Sequence, residues 1–278
     1  MTFFGVRGST PCASQRISRY GGNTSSVVID IPRTPPILLD LGTGVRVYGE
    51  SLPPGPFEGV ALVSHLHWDH VQGLPFFAPA LRPGSRVALY SPPPGCGLTL
   101  AEAFGQGIRP PYFPVHLTEL SGRIEFHEVH DGTFEVGAAM VTVKPVPHVG
   151  PTAGFRIDWE GVSVAYVPDH QQPSNGSLDI AEEVLELVEG ANLLIHDAQY
   201  TPEEFRQKRD WGHSTIEYAV EVARQGGVKM LAMFHHDPTH DDTMVDRLAA
   251  EARQHKGCSQ MELIAAHEGL TVHLAPRS

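Results

Sequence analysis

The chain has 278 residues, of which 41% are hydrophobic, enough for a sizeable buried core. Its formal net charge of −12 and its pI near 5.7 argue against an extended nucleic-acid-binding surface, which would need a basic stripe. Because no apolar run approaches the ~20 residues that span a bilayer, we expect no membrane-spanning helix.

The cysteines and the N-terminal residues indicate the compartment. Cys12, Cys96 and Cys258 are odd in number and far apart, so no disulfide framework is expected. Residues 2–7 predict a strand at the very start, which leaves no room for a signal peptide. We therefore expect a cytoplasmic protein.

The first part of the chain alternates apolar runs with turn residues. Strands are predicted at 2–7, 26–31 and 36–40, followed by a weak helix at 45–52. A glycine-rich connection at 19–25 lacks the dinucleotide and P-loop spacings, so a structural turn is the preferred interpretation.

Residues 64–70 (SHLHWDH) form a dense cluster of imidazoles and a carboxylate between a predicted buried strand at 60–63 and a predicted helix from residue 71. In an extended segment His65 and His67 share a face and can converge on one ion, whereas Asp69 and His70 can point at a second. Such nitrogen and oxygen donors suit zinc and neighbouring divalent ions. A histidine-rich surface loop is the alternative.

The remaining elements continue this alternation. Strands are predicted at 86–90, 124–129, 140–147, 154–158, 162–167, 192–195, 228–234, 261–264 and 270–274, and helices at 98–107, 178–189, 214–225 and 241–255. The stiff, proline- and aromatic-rich segment 108–115 either packs in the core or overhangs the site, where Tyr112 or Phe113 could stack on a base. The sequence leaves the role of 91–123 open.

Each half of the chain starts with strands and ends in units in which a strand delivers a polar residue before a helix. This pattern suits two sheets packed face to face with helices outside. The composition shows no break that would mark a second domain. We therefore predict an α/β fold, a four-layer αββα sandwich, as a single domain over residues 1–278.

The spacing HxHxDH at 65–70 resembles the signature of the metallo-β-lactamase superfamily. The resemblance implies two divalent ions and three further ligands in a set order, which His148, Asp169 and His235 match. One ion would be held by His65, His67 and His148 and the other by Asp69, His70 and His235, with Asp169 between them. Zinc is the preferred metal, with manganese or iron as alternatives.

Some of these positions have competing interpretations. His148 could be a loop histidine and Asp169 a turn residue, and His170 competes with Asp169 by position. His235 and His236 also compete, and we favour His235 because it directly follows a buried strand.

Residues 195–200 (IHDAQY) resemble the HEAT-like motif of ribonuclease Z and related phosphodiesterases, and 212–215 (GHST) resemble their HST motif. The resemblance implies that His213 is a general acid oriented by Asp197, with Asp69 as a further catalytic candidate. Imidazole can protonate an alkoxide leaving group near neutral pH. His213 could instead be an inert helix-start histidine, and Asp197 could merely satisfy backbone groups.

His148 and Asp169 lie only 21 positions apart, which leaves no room for the long tRNA-gripping arm of ribonuclease Z. Together with the acidic charge, this spacing disfavours tRNA and long nucleic acid. It looks more like the phosphoribosyl cyclic phosphodiesterase branch. We therefore predict hydrolysis of a phosphodiester in a small-molecule substrate, a cyclic nucleotide or cyclic phosphate. The sequence does not determine the oligomeric state, and a homodimer is one of the alternatives.

Two other functions fit the same ligands. A carboxylic-type hydrolase (a lactonase, thioesterase or β-lactamase) would share the metal site but would have no evident need for His213. A non-catalytic metal-binding sensor would hold the ions without turnover.

Overall fold

The computed structural model describes residues 1–255, 258 and 261–276. Its first sheet has six strands, and its second sheet has seven. The elements of the first half of the chain are β1 (Thr2–Gly5), β2 (Ser26–Ile29), β3 (Ile37–Leu39), α1 (Gly44–Ser51), β4 (Glu58–Leu62), α2 (Trp68–Val71), β5 (Arg86–Ser91), α3 (Leu100–Gly107) and β6 (Arg123–Glu128). Those of the second half are β7 (Gly132–Val136), β8 (Ala139–Pro145), β9 (Ala153–Trp159), β10 (Val162–Val167), α4 (Glu182–Val188), β11 (Leu193–Asp197), α5 (Pro202–Gln207), α6 (Ile216–Gln225), β12 (Met230–Phe234), α7 (Asp242–Arg253) and β13 (Glu262–Ala265).

Both sheets combine an antiparallel part with a parallel part. In the first sheet, strands β1 to β6 lie in chain order, with antiparallel pairing up to β3 and parallel pairing from β3 to β6. In the second sheet, β7 to β10 pair antiparallel and β10 to β13 pair parallel. The same plan is therefore built twice, as the duplicated pattern in the sequence predicts.

The core has three apolar layers. Side chains of both sheets, such as Phe3 and Phe155, fill the space between the sheets. The outer face of the second sheet is covered by α4, α6 and α7, and that of the first sheet by α1, α3 and the turns after α2. These five helices each bury one apolar face against a sheet, so the predicted four-layer αββα architecture is confirmed. The single domain over residues 1–278 stays a prediction.

The structure departs from the predicted elements in five places. Strand β7 and helix α5 are additional to the prediction. The helix predicted from 178 begins only at Glu182, because Ala181 before it has a non-helical ψ of 139° and the carbonyl of Asp179 accepts a hydrogen bond from the Tyr218 hydroxyl. The predicted strand at 270–274 contributes one isolated bridge, between Thr2 and Thr271. The helix predicted from residue 71 is instead α2 followed by 3-10 turns.

The carboxyl ends of several strands meet at one edge of the sandwich. In the second sheet Val167 lies beside His196, and Asp197 lies beside Phe234, so the residues that follow β10, β11 and β12 are neighbours. The antiparallel pairing of β8 with β9 brings the exit of β8 to the same edge. No helix among the described residues is long and apolar enough to cross a membrane.

Candidate metal centre

The seven predicted ligands lie together at this edge. They form two groups, the first with His65, His67, His148 and Asp169 and the second with Asp69, His70 and His235. Within each group, the ligand atoms lie within 4.8 Å of one another. The first group is delivered by the exits of β4, β8 and β10, and the second by α2 and the exit of β12. The topology thus gathers residues that lie far apart in sequence.

Asp169 lies between the two groups, with one carboxylate oxygen facing each. Its Oδ2 is 3.7 Å from His65 Nε2 and 3.5 Å from His148 Nε2. Its Oδ1 is 3.1 Å from His70 Nε2 and 3.2 Å from His235 Nε2. This is the arrangement that a carboxylate needs in order to bridge two cations.

The donor atoms fit divalent metal ions. The Nε2 atoms of His65 and His70 and the Oδ1 atom of Asp169 are buried and make no well-oriented hydrogen bond, although His70 Nε2 and Asp169 Oδ1 lie 3.1 Å apart. Leaving a polar atom buried and unpaired costs about 1–3 kcal/mol, so three such atoms in one cluster require an explanation. Coordination to a cation would satisfy all three, and imidazole and carboxylate donors suit zinc and its neighbours.

The electrostatics of the cluster favour a cation as well. Three buried carboxylates, Asp40, Asp69 and Asp169, lie around His70, and no lysine or arginine forms an ion pair with them in the described part of the chain. Burial lowers the pKa of His70, but these carboxylates outweigh burial, and the net shift is well upward. Burial holds the pKa of His65 well below its usual value, so this ring is neutral, as a metal ligand must be.

The histidines are held from behind by hydrogen bonds to their second ring nitrogens. His148 Nδ1 lies 2.6 Å from the carbonyl of Gly212, and His235 Nδ1 lies 2.8 Å from Gln199 Oε1. These bonds direct each Nε2 atom toward Asp169. Such outer partners fix the tautomer and orientation of metal-binding histidines.

Asp40 is an outer partner that the sequence reasoning missed. Its Oδ2 lies 2.6 Å from His70 Nδ1 and accepts a hydrogen bond from the Tyr166 hydroxyl at 2.7 Å. Its Oδ1 accepts from the Ser64 amide at 2.7 Å. Asp40 and His235 have φ angles of 59° and 58°, which is uncommon for residues that carry a Cβ and typical of functional sites. The signal in the sequence was an aspartate that directly ends a buried strand.

The structure places His213 and Asp197 beside the cluster. His213 Nδ1 is 3.0 Å from Asp197 Oδ2, and His213 also lies in a group with Asp169 and His235. Asp197 is fixed in turn, because it accepts hydrogen bonds from the His170 and Gln199 amides. Burial lowers the pKa of His213, but the Asp197 carboxylate outweighs burial and the net shift is upward.

The competing histidines lie outside the cluster. His236 Nε2 donates to the carbonyl of Ala266 at 2.9 Å, and burial lowers the pKa of His236 to about 3. His170 Nδ1 is 2.9 Å from His196 Nε2. The structure therefore brings His235 and Asp169, rather than His236 and His170, to the candidate site.

Known proteins are similar to this chain in sequence and in fold. "Ribonuclease Z" from Ignicoccus hospitalis is 27% identical over 235 residues, which cover 70% of this chain and 75% of that protein. A diphosphatase from the PhnP family has the same fold, with a TM-score of 0.71, 21% identity and coverage of 99% of this chain and 97% of that chain. The short form of human tRNase Z gives a TM-score of 0.67 at 19% identity and covers 99% of this chain and 98% of that chain.

The prediction that disfavours tRNA and long nucleic acid is wrong, because the similarity to ribonuclease Z extends over most of the chain and conflicts with it. The prediction relied on the net charge of −12 and on the short spacing between His148 and Asp169. The net charge averages over the whole surface, whereas bound cations reverse the sign at the site. The short spacing between His148 and Asp169 concerns one means of gripping RNA and does not decide which substrate reacts.

The model of the family described as "Beta-lactamase superfamily domain" matches residues 37–236, which include all seven predicted ligands. This match and the ribonuclease Z relatives are consistent with the predicted metal-dependent hydrolase. The chain therefore belongs to the β-lactamase superfamily domain family, and the predicted superfamily is confirmed.

Proposed function

We propose that the protein is a dinuclear metal-dependent phosphodiesterase. His65, His67 and His148 would hold one divalent cation, Asp69, His70 and His235 would hold the other, and Asp169 would contact both. The single observation that carries this proposal is that the two oxygens of Asp169 face opposite groups of imidazole nitrogens. Zinc is the preferred metal from the donor set, with manganese or iron as alternatives.

When bound, the cations would activate a water molecule and neutralise charge on the phosphate oxygens. His213 contributes the proton that the departing oxygen needs, and Asp197 keeps that ring in position through the 3.0 Å contact to Nδ1. With Nδ1 engaged by Asp197, Nε2 is the nitrogen that delivers the proton. Asp69 is the further catalytic candidate, since its Oδ2 lies 3.0 Å from His235 Nε2 and accepts from the Ser9 amide at 2.8 Å.

The substrate would carry a phosphodiester with an alkoxide leaving group, either in RNA or in a small cyclic nucleotide. The His213–Asp197 pair supports this class, because an ester or thioester hydrolase on the same metal site has no evident need for a second proton donor. The ribonuclease Z relatives support RNA, and the spacing of 21 positions between His148 and Asp169 supports a small cyclic substrate.

A panel of substrates tests the reaction class. The metal-loaded enzyme should hydrolyse bis(p-nitrophenyl) phosphate, a precursor tRNA or a nucleoside 2′,3′-cyclic phosphate in preference to nitrocefin, a lactone and a glutathione thioester. Turnover of only the last three substrates would indicate a carboxylic-type hydrolase instead of a phosphodiesterase. Stoichiometric metal binding without turnover of any substrate would indicate a sensor.

The pH dependence of Asp197→Asn tests the proton donor. Because the Asp197 carboxylate raises the pKa of His213, its neutralisation should lower that pKa. The acid form of His213 would then be lost at lower pH, so the descending limb of the kcat/KM profile on a nucleoside 2′,3′-cyclic phosphate should move to lower pH. An unmoved limb, measured at constant metal content, would show that His213 is not the acid.

A further inference from the structure

An open cleft of about 800 Å³ lies beside the segment that carries the candidate ligand His67. Leu66 and Trp68 line its near end and flank His67, whose Nδ1 atom lies 3.2 Å from His148 Nε2. The cleft then runs between the turns after α2 and the segment that contains α3 and Tyr112. The loop at 94–96, which lines the cleft, also lies close to the residues that follow His148, since a Cβ added at Gly95 would lie 2.7 Å from Pro151 Cγ.

Aromatic rings line both walls of the cleft and remain open to solvent. Trp68, Phe76 and Tyr112 are 63%, 59% and 81% exposed. The Trp68 ring spans the gap to the end of α3, since a Cβ added at Gly107 would lie 3.2 Å from its Cη2 atom. Phe113 supports Phe76 from the side, with ring centroids 6.0 Å apart and planes at 85°. Large apolar rings exposed together typically mark a binding surface.

The side chains that line the cleft carry no formal charge. None of the described residues that line it is acidic, basic or histidine, and its long polar side chains are those of Gln72 and Gln106. Phosphate recognition is thus left to the metal centre, and the group in the cleft must be neutral. A planar, uncharged ring with hydrogen-bonding edges matches open aromatic faces and two amide side chains.

We propose that this cleft binds a nucleobase adjacent to the scissile phosphate, so that the substrate is a nucleotide or an RNA with an unstacked base. The proposal rests on the proposed phosphodiesterase and names its substrate class. Tyr112 provides the stacking face that can be tested, because it is the most exposed of the three rings and lies outside the metal centre.

Matched p-nitrophenyl esters test the proposal. Thymidine 5′-(p-nitrophenyl phosphate) carries a base, whereas methyl and hexyl p-nitrophenyl phosphate carry none, and all three release the same leaving group. Tyr112→Ala should raise KM for the thymidine ester about tenfold, the order of one lost stacking contact, with little change in kcat. The methyl and hexyl esters should be unaffected. Tyr112→Phe keeps the ring and should stay within about twofold of the original protein on all three esters.

A binding measurement keeps this test independent of turnover. Thymidine added to the protein without metal should quench tryptophan fluorescence, and Trp68→Phe should remove that signal. If the original protein hydrolyses no ester, the proposed phosphodiesterase fails, and quenching that depends on Tyr112 would still support the base cleft. An equal loss on the hexyl ester, an unchanged KM for the thymidine ester, or no quenching would overturn the base cleft.

Discussion

Replacement of His213 by alanine should lower kcat/KM by about 10²–10⁴-fold on a nucleoside 2′,3′-cyclic phosphate or an RNA substrate. These substrates release an alkoxide, which needs a proton as it departs. The loss on bis(p-nitrophenyl) phosphate should be much smaller, because p-nitrophenolate is stable without a proton. Steady-state kinetics on both substrates, with the metal content measured on the same samples, separate proton donation from metal binding.

The matched control for this variant is His130→Ala, which removes an exposed histidine after β6. It should leave both rates and the metal content unchanged. An equal loss on the two substrates would contradict the proton-donor role of His213. Loss of metal in His213→Ala would instead indicate that His213 is a metal ligand. This alternative is specific, because His213 lies in one group with Asp169 and His235.

Asp169→Ala should have a comparably large effect through a different cause. Asp169 contacts both groups of imidazoles, so its removal takes a ligand from each cation at once. We expect fewer than two bound ions per chain after dialysis and a phosphodiesterase rate at least about 100-fold lower, since loss of even an outer partner of a metal site typically costs 10–100-fold. Elemental analysis and kinetics on bis(p-nitrophenyl) phosphate measure the two effects.

Asp242→Ala is the matched control, because Asp242 is also a buried aspartate. It accepts hydrogen bonds from the amides of Arg19 and Tyr20 at the start of α7. Its loss should lower the melting temperature and leave the metal content per folded chain unchanged. Full metal content and rate in Asp169→Ala would refute the bridging role.

Local patterns were enough to predict most of the fold. Apolar runs that end in polar residues predict the strands around the site, and the duplicated order predicts two stacked sheets. The failures occurred where long-range contacts decide the structure. Residues 178–181 continue the apolar pattern of the helix, but Ala181 is non-helical and the carbonyl of Asp179 is bound by the Tyr218 hydroxyl. Residues 270–274 alternate like a strand, yet they pair with the start of the chain through an isolated bridge to Thr2 and a few backbone hydrogen bonds instead of forming a strand.

The site shows the same division. The spacing of His65, His67, Asp69 and His70 identifies a metal-binding pattern in the sequence alone, because neighbouring residues deliver those ligands together. Asp40 and Gln199 escape such reasoning, since their role arises only when the fold places them behind His70 and His235. The inference about tRNA failed for a related reason, because a net charge says nothing about the field inside one site.

Anomalous X-ray scattering from crystals of the metal-loaded protein tests most directly whether Asp169 lies between two bound cations. Two peaks are expected at the absorption edge of the bound metal. One should be surrounded by His65, His67 and His148 and the other by Asp69, His70 and His235. A single peak, or no peak at these residues after saturation with zinc, manganese or iron, would refute a two-cation site around Asp169.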